Sequence, residues 1–469
     1  MLTLSDVGPN HTCQGYSRRE ILRVGGLMLG GLTLSGLLES RAKAAAAGKM
    51  VSDKSVVLLF LQGGPPHIEF FDPKMSAPIE IRSITGEIKT ALPGVTFGST
   101  FPKLAAMANK LAIVRSYGSN NAGHFYDPVV TAGNPLKAAM GSLYARVAGA
   151  NDPKTGMPRN SLILPESIDP KIKMGTNFET GALPTLTQPG SLGAAYGAFN
   201  TAGGGALSQD MHLQIPQARL DDRRSLLSSL DTLRRGADKS GSLALADRYD
   251  QQAFDVIAGG VAGAFDLSKE DPRTIERYDT SKLFRIEDLH RWNDMARASN
   301  LLGKQLLLAR RLCENGCGFV TVSDCGWDYH ANGNSPKRMA GIYPMGGQVD
   351  HAISAFLEDL EQRGLSDKIL LVVTGEMGRS PRLNNNGGRD HYGKLTSLML
   401  AGGGLKMGQV IGESDKTASE AITDPYGPEH LMATIMRVLL DVGAVRGDAG
   451  VPREVAQIIG EGQTIRELF

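Results

Sequence analysis

The chain has 469 residues and a mass of 50.0 kDa, enough for two to four domains or one large α/β domain. Its 41% hydrophobic and 21% charged residues, with 50 Lys and Arg against 49 Asp and Glu, exclude a disordered chain and a strongly basic nucleic-acid binder. The 57 glycines indicate many tight turns and close backbone approaches rather than a helical bundle.

The amino terminus has the pattern of an export signal. Arg18 and Arg19 stand before an uncharged run of 15 residues with five glycines (24–38), and an alanine-rich stretch follows Arg41. The run is shorter than the roughly 20 residues of a membrane-spanning helix, and the small residues after it suit a signal peptidase. We therefore expect a twin-arginine signal peptide over residues 1–46, a periplasmic or extracellular location, and no stable membrane span after signal removal. The alternative is an amphipathic or buried amino-terminal helix.

Five apolar runs predict strands of a parallel sheet that is buried on both faces. They are residues 56–61, 111–114, 319–322, 369–373 and 397–400. Helical patterns at 300–315 and 348–363 lie between them, and Gly364 predicts the end of the second helix. This alternation predicts an α/β fold with a mostly parallel sheet flanked by helices on both faces.

Residues 206–301 interrupt the alternation, because they have the pattern of charged amphipathic helices with no convincing strand. We interpret them as a helical insertion or cap within one α/β domain over residues 47–469. Three cysteines lie outside the expected signal, at Cys313, Cys317 and Cys325. Cys313 and Cys317 could pair or pack, and we expect packing because the count is too low for a disulfide framework.

Polar side chains follow four of the predicted strands, each within a few residues of a glycine. They are His67, His124, Asp328 with His330, and Glu376, and a fifth cluster of Arg389, Asp390 and His391 precedes the last strand. Loops and helix amino termini converge at the carboxyl ends of parallel strands. We therefore expect these residues to meet in one pocket.

Each cluster has a functional and a structural interpretation. Asp328 and His330, two residues apart, suit two ligands of one metal ion or an acid/base pair, or else a surface Asp and a His satisfied by a backbone carbonyl. A buried Glu376 needs a metal, several donors or an arginine, and Arg379 or Arg382 could supply a structural ion pair.

The last cluster and the first strand end are similarly open to two interpretations. Asp390 and His391 could supply a metal ligand or an acid/base group and Arg389 could bind an oxyanion, or the segment is a turn capped by its Asp. Gln62 could meet a metal, although an amide is a poorer ligand than a carboxylate. The fingerprints of Walker ATPases, Rossmann dehydrogenases, serine hydrolases and zincins are absent.

Motifs spread over almost the whole chain point to one family. They are the signal and the segments 61–67, 71–74, 307–312, 326–330, 374–382, 388–392 and 401–412. The chain resembles the family catalogued as domain of unknown function 1501, whose members are usually exported and resemble the alkaline phosphatase and sulfatase superfamily. The resemblance implies an alkaline phosphatase/sulfatase-like fold, a divalent-metal site that binds a phosphate or sulfate ester, and a hydroxyl nucleophile near the second strand.

The resemblance also assigns metal ligands residue by residue. Asp328 and His330 resemble an Asp-His ligand pair, although their spacing is shorter than usual, and His391 resembles the late histidine ligand. Glu376 stands where an Asp-His pair is common, and Gln62 stands where the first-strand Asp is expected. With Asp390 added from its position, the expected ligands of a divalent Zn, Ca, Mg or Mn ion are Gln62, Asp328, His330, Glu376, Asp390 and His391.

The expected catalytic residues lie near the second strand and in the late loop. The nucleophile is Ser116 or Ser119, His124 orients it, and Arg389 binds the oxyanion. We therefore expect an exported metal-dependent hydrolase of sulfate or phosphate esters, among them esters on polysaccharide, with no nucleic-acid partner. The alternative is a non-catalytic member of the fold that binds carbohydrate or a partner protein at the cell surface, and an exported structural protein is a third hypothesis.

Overall fold

The computed structural model describes residues 50–202 and 261–469. The expected signal peptide (1–46) and residues 206–260 of the expected insertion lie outside the described residues. The strands are β1 (Ser55–Gln62), β2 (Glu87–Lys89), β3 (Thr96–Gly98), β4 (Leu111–Val114), β5 (Asn160–Ile163), β6 (Phe199–Asn200), β7 (Phe319–Cys325), β8 (Ile369–Thr374), β9 (Gly378–Arg379), β10 (His391–Tyr392), β11 (Met399–Gly402) and β12 (Gln409–Ile411).

The described helices are α1 (His67–Phe70), α2 (Pro102–Ala106), α3 (Asp127–Val130), α4 (Met140–Ala148), α5 (Phe178–Ala182), α6 (Ala262–Phe265), α7 (Pro272–Tyr278), α8 (Glu287–His290), α9 (Leu302–Glu314), α10 (Ile342–Gln362), α11 (Pro428–Leu439), α12 (Val442–Gly447) and α13 (Arg453–Glu461). Short 3₁₀ turns connect several of them. In residues 261–301, the described part of the expected insertion, α6 to α8 occur without a strand.

Eight of the strands form one sheet in the order β12-β4-β11-β8-β1-β7-β5-β6. Strand β11 is antiparallel to both of its neighbours, and each of the other pairings in this sheet is parallel. The predicted mostly parallel sheet is confirmed. Two short antiparallel pairs, β2 with β3 and β9 with β10, lie outside it.

Strand β1 lies inside the sheet and shows why both faces are covered. Its side chains are apolar at nearly every position, and alternate residues of a strand face opposite sides. Val57 and Leu59 belong to a core that includes residues of α9 and α10. Val56 and Leu58 belong to a second core that includes residues of α4 and α11. The helices therefore cover both faces of the sheet, as predicted.

The predicted helices form, with differences at their ends. Helix α10 begins at Ile342, earlier than predicted, because Pro344 is tolerated in a first turn although it weakens the helical pattern. Gly364 follows the helix with φ of +67°, as a carboxyl cap requires. The run at 397–400 forms a strand from Met399, and its antiparallel direction is not contained in its apolar composition.

The three cysteines of the described residues are free and buried, in agreement with the expectation of packing. In residues 50–202 and 261–469, no helix has the length and apolarity needed to cross a membrane.

We expect Gly303→Ala to lower the free energy of unfolding by about 1–3 kcal/mol, because a Cβ there would lie 1.7 Å from the carbonyl oxygen of Tyr278. Urea denaturation followed by circular dichroism measures the change. The matched control is Gly347→Ala in α10, where no atom lies within 4 Å of the added Cβ. This control should stabilise the protein by about 0.5–1 kcal/mol. Equal effects of the two substitutions would contradict the close approach of α9 to the Tyr278 backbone.

Candidate metal centre

Loops at one edge of the sheet bring the predicted polar residues together. The loops after β4, β7 and β8 leave the carboxyl ends of these strands and carry His124, Asp328 and Glu376. His391 reaches the same edge because β11, which follows it, runs in the opposite direction and begins there. The convergence of loops at strand ends thus positions the site.

Three of these side chains form a group that could hold a metal ion, namely His124, Asp328 and His391, with one ligand atom of each within 4.8 Å of the others. His124 Nε2 lies 3.6 Å from Asp328 Oδ2, and His391 Nε2 lies 3.5 Å from Asp328 Oδ1. Ligands held at about 2.0–2.1 Å around a tetrahedral zinc lie roughly 3.3 Å apart. These separations therefore suit a small cation.

His391 supplies the observation that tests this fit. Its Nε2 is buried and forms no hydrogen bond, which is uncommon for a buried polar atom. Its Nδ1 lies 3.3 Å from the carbonyl oxygen of Ala122, which can only accept, so the proton belongs on Nδ1 and Nε2 is left with a lone pair. Free imidazole nitrogen beside a carboxylate is a donor set that transition metals prefer. The residues present therefore fit a metal ion.

Asp328 is a buried carboxylate surrounded by cationic groups. Burial alone would raise the pKa of Asp328, but the charge of Arg379 and the neighbouring histidines lower it well below its ordinary range. The fully buried Arg379 donates to Asp328 Oδ1 and to the carbonyl oxygens of Gly63 and Gly64. Oδ2 of Asp328 remains on the His124 side.

Glu376 lies on the opposite side of the His124 ring and is fully buried. Its Oε1 accepts a hydrogen bond from the N–H of Gly63 (2.9 Å) and lies 3.1 Å from His124 Nδ1. The alternative in which Arg379 or Arg382 neutralises Glu376 does not apply, because both guanidinium groups pair with other carboxylates.

His124 lies between two carboxylates, where the sequence predicts a residue that orients a nucleophile. Burial opposes its charged form, but Asp328 and Glu376 outweigh burial and raise the pKa of His124 to about 9. The ring of Phe178, the first residue of α5, stacks on it with centroids 3.7 Å apart. Phe178 follows no predicted strand and belongs to no motif, so no sequence signal marked it.

His330 and Asp390 lie beside the group of three. His330 Nε2 lies 3.2 Å from Asp328 Oδ1, and His330 Nδ1 lies 2.9 Å from Oδ1 of the exposed Asp390. The hydrogen bond to Asp328 is the main cause that raises the pKa of His330. Both ring nitrogens of His330 thus already have carboxylate partners.

Gln62 is the last residue of β1, and its side chain bonds residues outside the group of three. Its Oε1 accepts a hydrogen bond from the hydroxyl of Tyr126 (2.8 Å), and its Nε2 donates to Ser323 Oγ. Both ends of the buried amide are therefore bound within the protein.

The two candidate nucleophiles form no hydrogen bond with the group of three. Ser119 Oγ accepts a hydrogen bond from Thr396 Oγ1 (3.2 Å), and Ser116 Oγ is buried with no hydrogen-bond partner. Neither serine is hydrogen-bonded to His124.

Arg389, the expected oxyanion ligand, is turned into the protein. Its side chain is fully buried, and its Nε and Nη2 donate to Glu69 Oε1 at 3.0 and 2.9 Å. Further donors meet the carbonyl oxygens of Ile81 (2.9 Å) and Ser380 (3.2 Å). The guanidinium therefore serves a structural ion pair.

The site motifs belong to a sequence family. Residues 53–469 match the family described as "Protein of unknown function (DUF1501)", and the chain belongs to this family. No curated protein matches the sequence.

Solved structures with a similar arrangement include hydrolases of sulfate and phosphonate esters. PsFucS1 sulfatase from Pseudoalteromonas sp. is 13% identical with a TM-score of 0.34, over 92% of this chain and 79% of that one. Phosphonate monoester hydrolase SpPMH from Silicibacter pomeroyi is 13% identical with a TM-score of 0.35, over 88% and 76%. Ps i-CgsB in complex with k-i-k-neocarrahexaose is 9% identical with a TM-score of 0.33, over 82% and 72%. At these identities and scores the likeness carries no activity over to this chain.

We expect Arg389→Met to lower the free energy of unfolding by about 3–5 kcal/mol, because it leaves the charge of Glu69 buried without its partner. Urea denaturation measures the loss. The double variant Glu69→Gln with Arg389→Met removes both charges, and it should lose less than the sum of the two single variants. Additive losses would contradict a coupled buried pair.

Glu179 predicts a pH dependence of stability. Burial raises the pKa of Glu179 to about 8 from its ordinary 4.5, although the N–H of Gly326 donates to its Oε1 at 2.9 Å. The folded protein thus holds this proton more tightly than the unfolded chain. Its contribution is full below pH 4.5 and is lost as the pH rises through about 8.

The variant Glu179→Gln keeps an acceptor for Gly326 and cannot titrate. We expect its free energy of unfolding to fall less than that of the parent between pH 5 and 9, and to exceed it above about pH 8. Urea titrations in the presence of a chelator measure both curves. Parallel curves for parent and variant would contradict the raised pKa of Glu179.

Proposed function

We propose that this protein is an exported, metal-dependent hydrolase of sulfate or phosphate esters, among them esters on polysaccharide. The observation that carries the proposal is the convergence of His124, Asp328 and His391 from three separate segments of the chain, with the buried Nε2 of His391 left without a hydrogen bond. Export rests on the twin-arginine pattern of residues 1–46.

His124, Asp328 and His391 would hold the cation. Two imidazoles and one carboxylate suit zinc better than calcium or magnesium, which prefer oxygen ligands. When bound, a divalent ion lowers the pKa of a coordinated water or hydroxyl and neutralises charge on the oxygens of the ester.

The surrounding residues of the chain divide into a floor and a rim. Asp328 and Arg379 form the floor, with side chains 6% and 0% exposed. The imidazoles of His124 and His391 form the rim, with side chains 18% and 25% exposed. An ester can therefore approach from the imidazole side, while Arg379 acts from below by holding Oδ1 of Asp328.

A second candidate function is binding without catalysis, to carbohydrate or to a partner protein at the cell surface. The specific observation in its favour is the position of Ser116 and Ser119, whose hydroxyls form no hydrogen bond with His124. If the enzyme is active, the attacking group is thus more readily a water held at the rim than either serine.

We expect protein purified after native export to contain one tightly bound divalent metal ion per chain, measured by elemental mass spectrometry. Removal of one ligand in Asp328→Asn or His391→Ala should abolish retention of that metal through gel filtration. The control His351→Ala removes a histidine of α10 that bonds the carbonyl of Arg277, and it should keep the metal. Metal retained in both ligand variants would contradict the site.

We expect the metal-loaded protein to hydrolyse an aryl sulfate or an aryl phosphate, and the chelated protein to regain this activity when the metal is returned. Release of the aryl alcohol, followed by absorbance, measures the rate. Full metal content without turnover of either ester would favour the binding function instead.

A further inference from the structure

We propose that Glu376 is a positioning residue of this centre, which holds His124 in the tautomer and orientation that turn its Nε2 towards the cation. The inference rests on the proposed function. In this proposal Glu376 does not bind the metal itself, whereas the sequence analysis predicts that it is a metal ligand.

The contacts of His124 define the direction of its ring. Glu376 Oε1 lies 3.1 Å from His124 Nδ1, and an ionised carboxylate only accepts hydrogen bonds. In the neutral ring, the form that binds a metal, the hydrogen therefore belongs on Nδ1 and the lone pair on Nε2. Nε2 lies on the other side of the ring, 3.6 Å from Oδ2 of Asp328.

Glu376 is not itself one of the atoms that surround the candidate cation. The group whose ligand atoms lie within 4.8 Å of one another comprises His124, Asp328 and His391. Glu376 instead bonds the ring nitrogen of His124 that points away from this group. A histidine that binds a metal commonly donates its other N–H to a carboxylate, which fixes its tautomer and raises its basicity.

The same carboxylate oxygen ties His124 to the backbone that carries Asp328. Oε1 of Glu376 also accepts from the N–H of Gly63 at 2.9 Å. Gly63 has φ of +113°, and a Cβ on it would lie 2.6 Å from the backbone nitrogen of Asp328. The turn after β1 therefore packs directly on the Asp328 backbone. Through its bonds to this turn and to His124, Glu376 fixes the position of His124 relative to Asp328.

A purely structural role explains Glu376 less well. The side chain is fully buried, and its Oε2 has no hydrogen-bond partner. Burying a carboxylate with one oxygen unsatisfied is costly, and an apolar side chain would pack without that cost. A positioning role towards His124 accounts for a charge kept at this place.

The experiment compares the parent protein with Glu376→Gln and Glu376→Ala. Zinc affinity is measured by competition with a chromophoric chelator, and the tautomer of His124 by ¹⁵N NMR of labelled histidine. We expect Glu376→Ala to weaken zinc binding by about 10–100-fold and to change the His124 tautomer signal. Glu376→Gln should weaken it less, because its amide oxygen can still accept from Nδ1.

The matched control is Asp350→Asn, which alters another buried carboxylate that accepts two backbone N–H groups, from Lys103 and Leu104 at 3.1 and 2.8 Å. It should lower stability without changing zinc affinity. Parent-like affinity and an unchanged tautomer in Glu376→Ala would overturn the positioning role. If that variant does not fold, an unchanged zinc affinity in Glu376→Gln overturns it, because a neutral amide should no longer raise the basicity of His124. A parent protein that binds no zinc would overturn the proposed function, and the positioning role with it.

Discussion

A carboxylate can stay ionised inside a protein only when charges or donors surround it, and this constraint organises the site around Asp328. Arg379 meets one oxygen from within the protein, and histidines approach from the solvent side. Because Arg379 is itself buried, its position depends on carbonyl groups of the turn after β1. The pair of Asp328 and Arg379 therefore also connects the segment after β7 to the turn after β1.

The constraint also explains how the site can bind a cation although it already contains an arginine. Arg379 occupies Oδ1 of Asp328, whereas Oδ2 faces His124. The arginine thus satisfies Oδ1 from within the protein, and His330 and His391 lie beside the same oxygen from the solvent side. The oxygen that Arg379 does not bind lies beside the partly exposed His124, where a cation and an ester would meet.

The sequence predicted the fold well because its signal is repeated. Apolar runs, glycines after strands and amphipathic helices each indicate the same parallel sheet. A wrong prediction for one of these elements therefore changes the predicted fold little. The sequence also predicted that Asp328 and His391 would meet, although Asp328 follows a parallel strand and His391 reaches the same edge because the strand after it, β11, is antiparallel. It placed His124 at this edge as well, but gave it the task of orienting a serine.

The sequence could not predict which side chains of the site pair with one another. The same motif offers Arg379 to Glu376 or to Asp328, and in the fold it donates to Asp328 and to the carbonyl oxygens of Gly63 and Gly64. Arg389 has the composition of an oxyanion ligand, yet a carboxylate at Glu69, about 320 residues away, binds it. Contacts across such distances leave no trace in local spacing, and for the same reason neither Gln62 nor the serines could be separated from the true neighbours of His124.

The reversed strand β11 has a consequence for the order in which the molecule is assembled. It lies between β8 and β4, so it joins the pair β12-β4 to the five strands on its other side. The segment that enters β11 carries His391, whereas the ligand after β7 belongs to the larger half. The cation would thus connect both parts of the sheet. A bound cation would indicate that β11 has taken its place between β4 and β8. A metal ion bound there would then stabilise the finished fold relative to partly assembled forms.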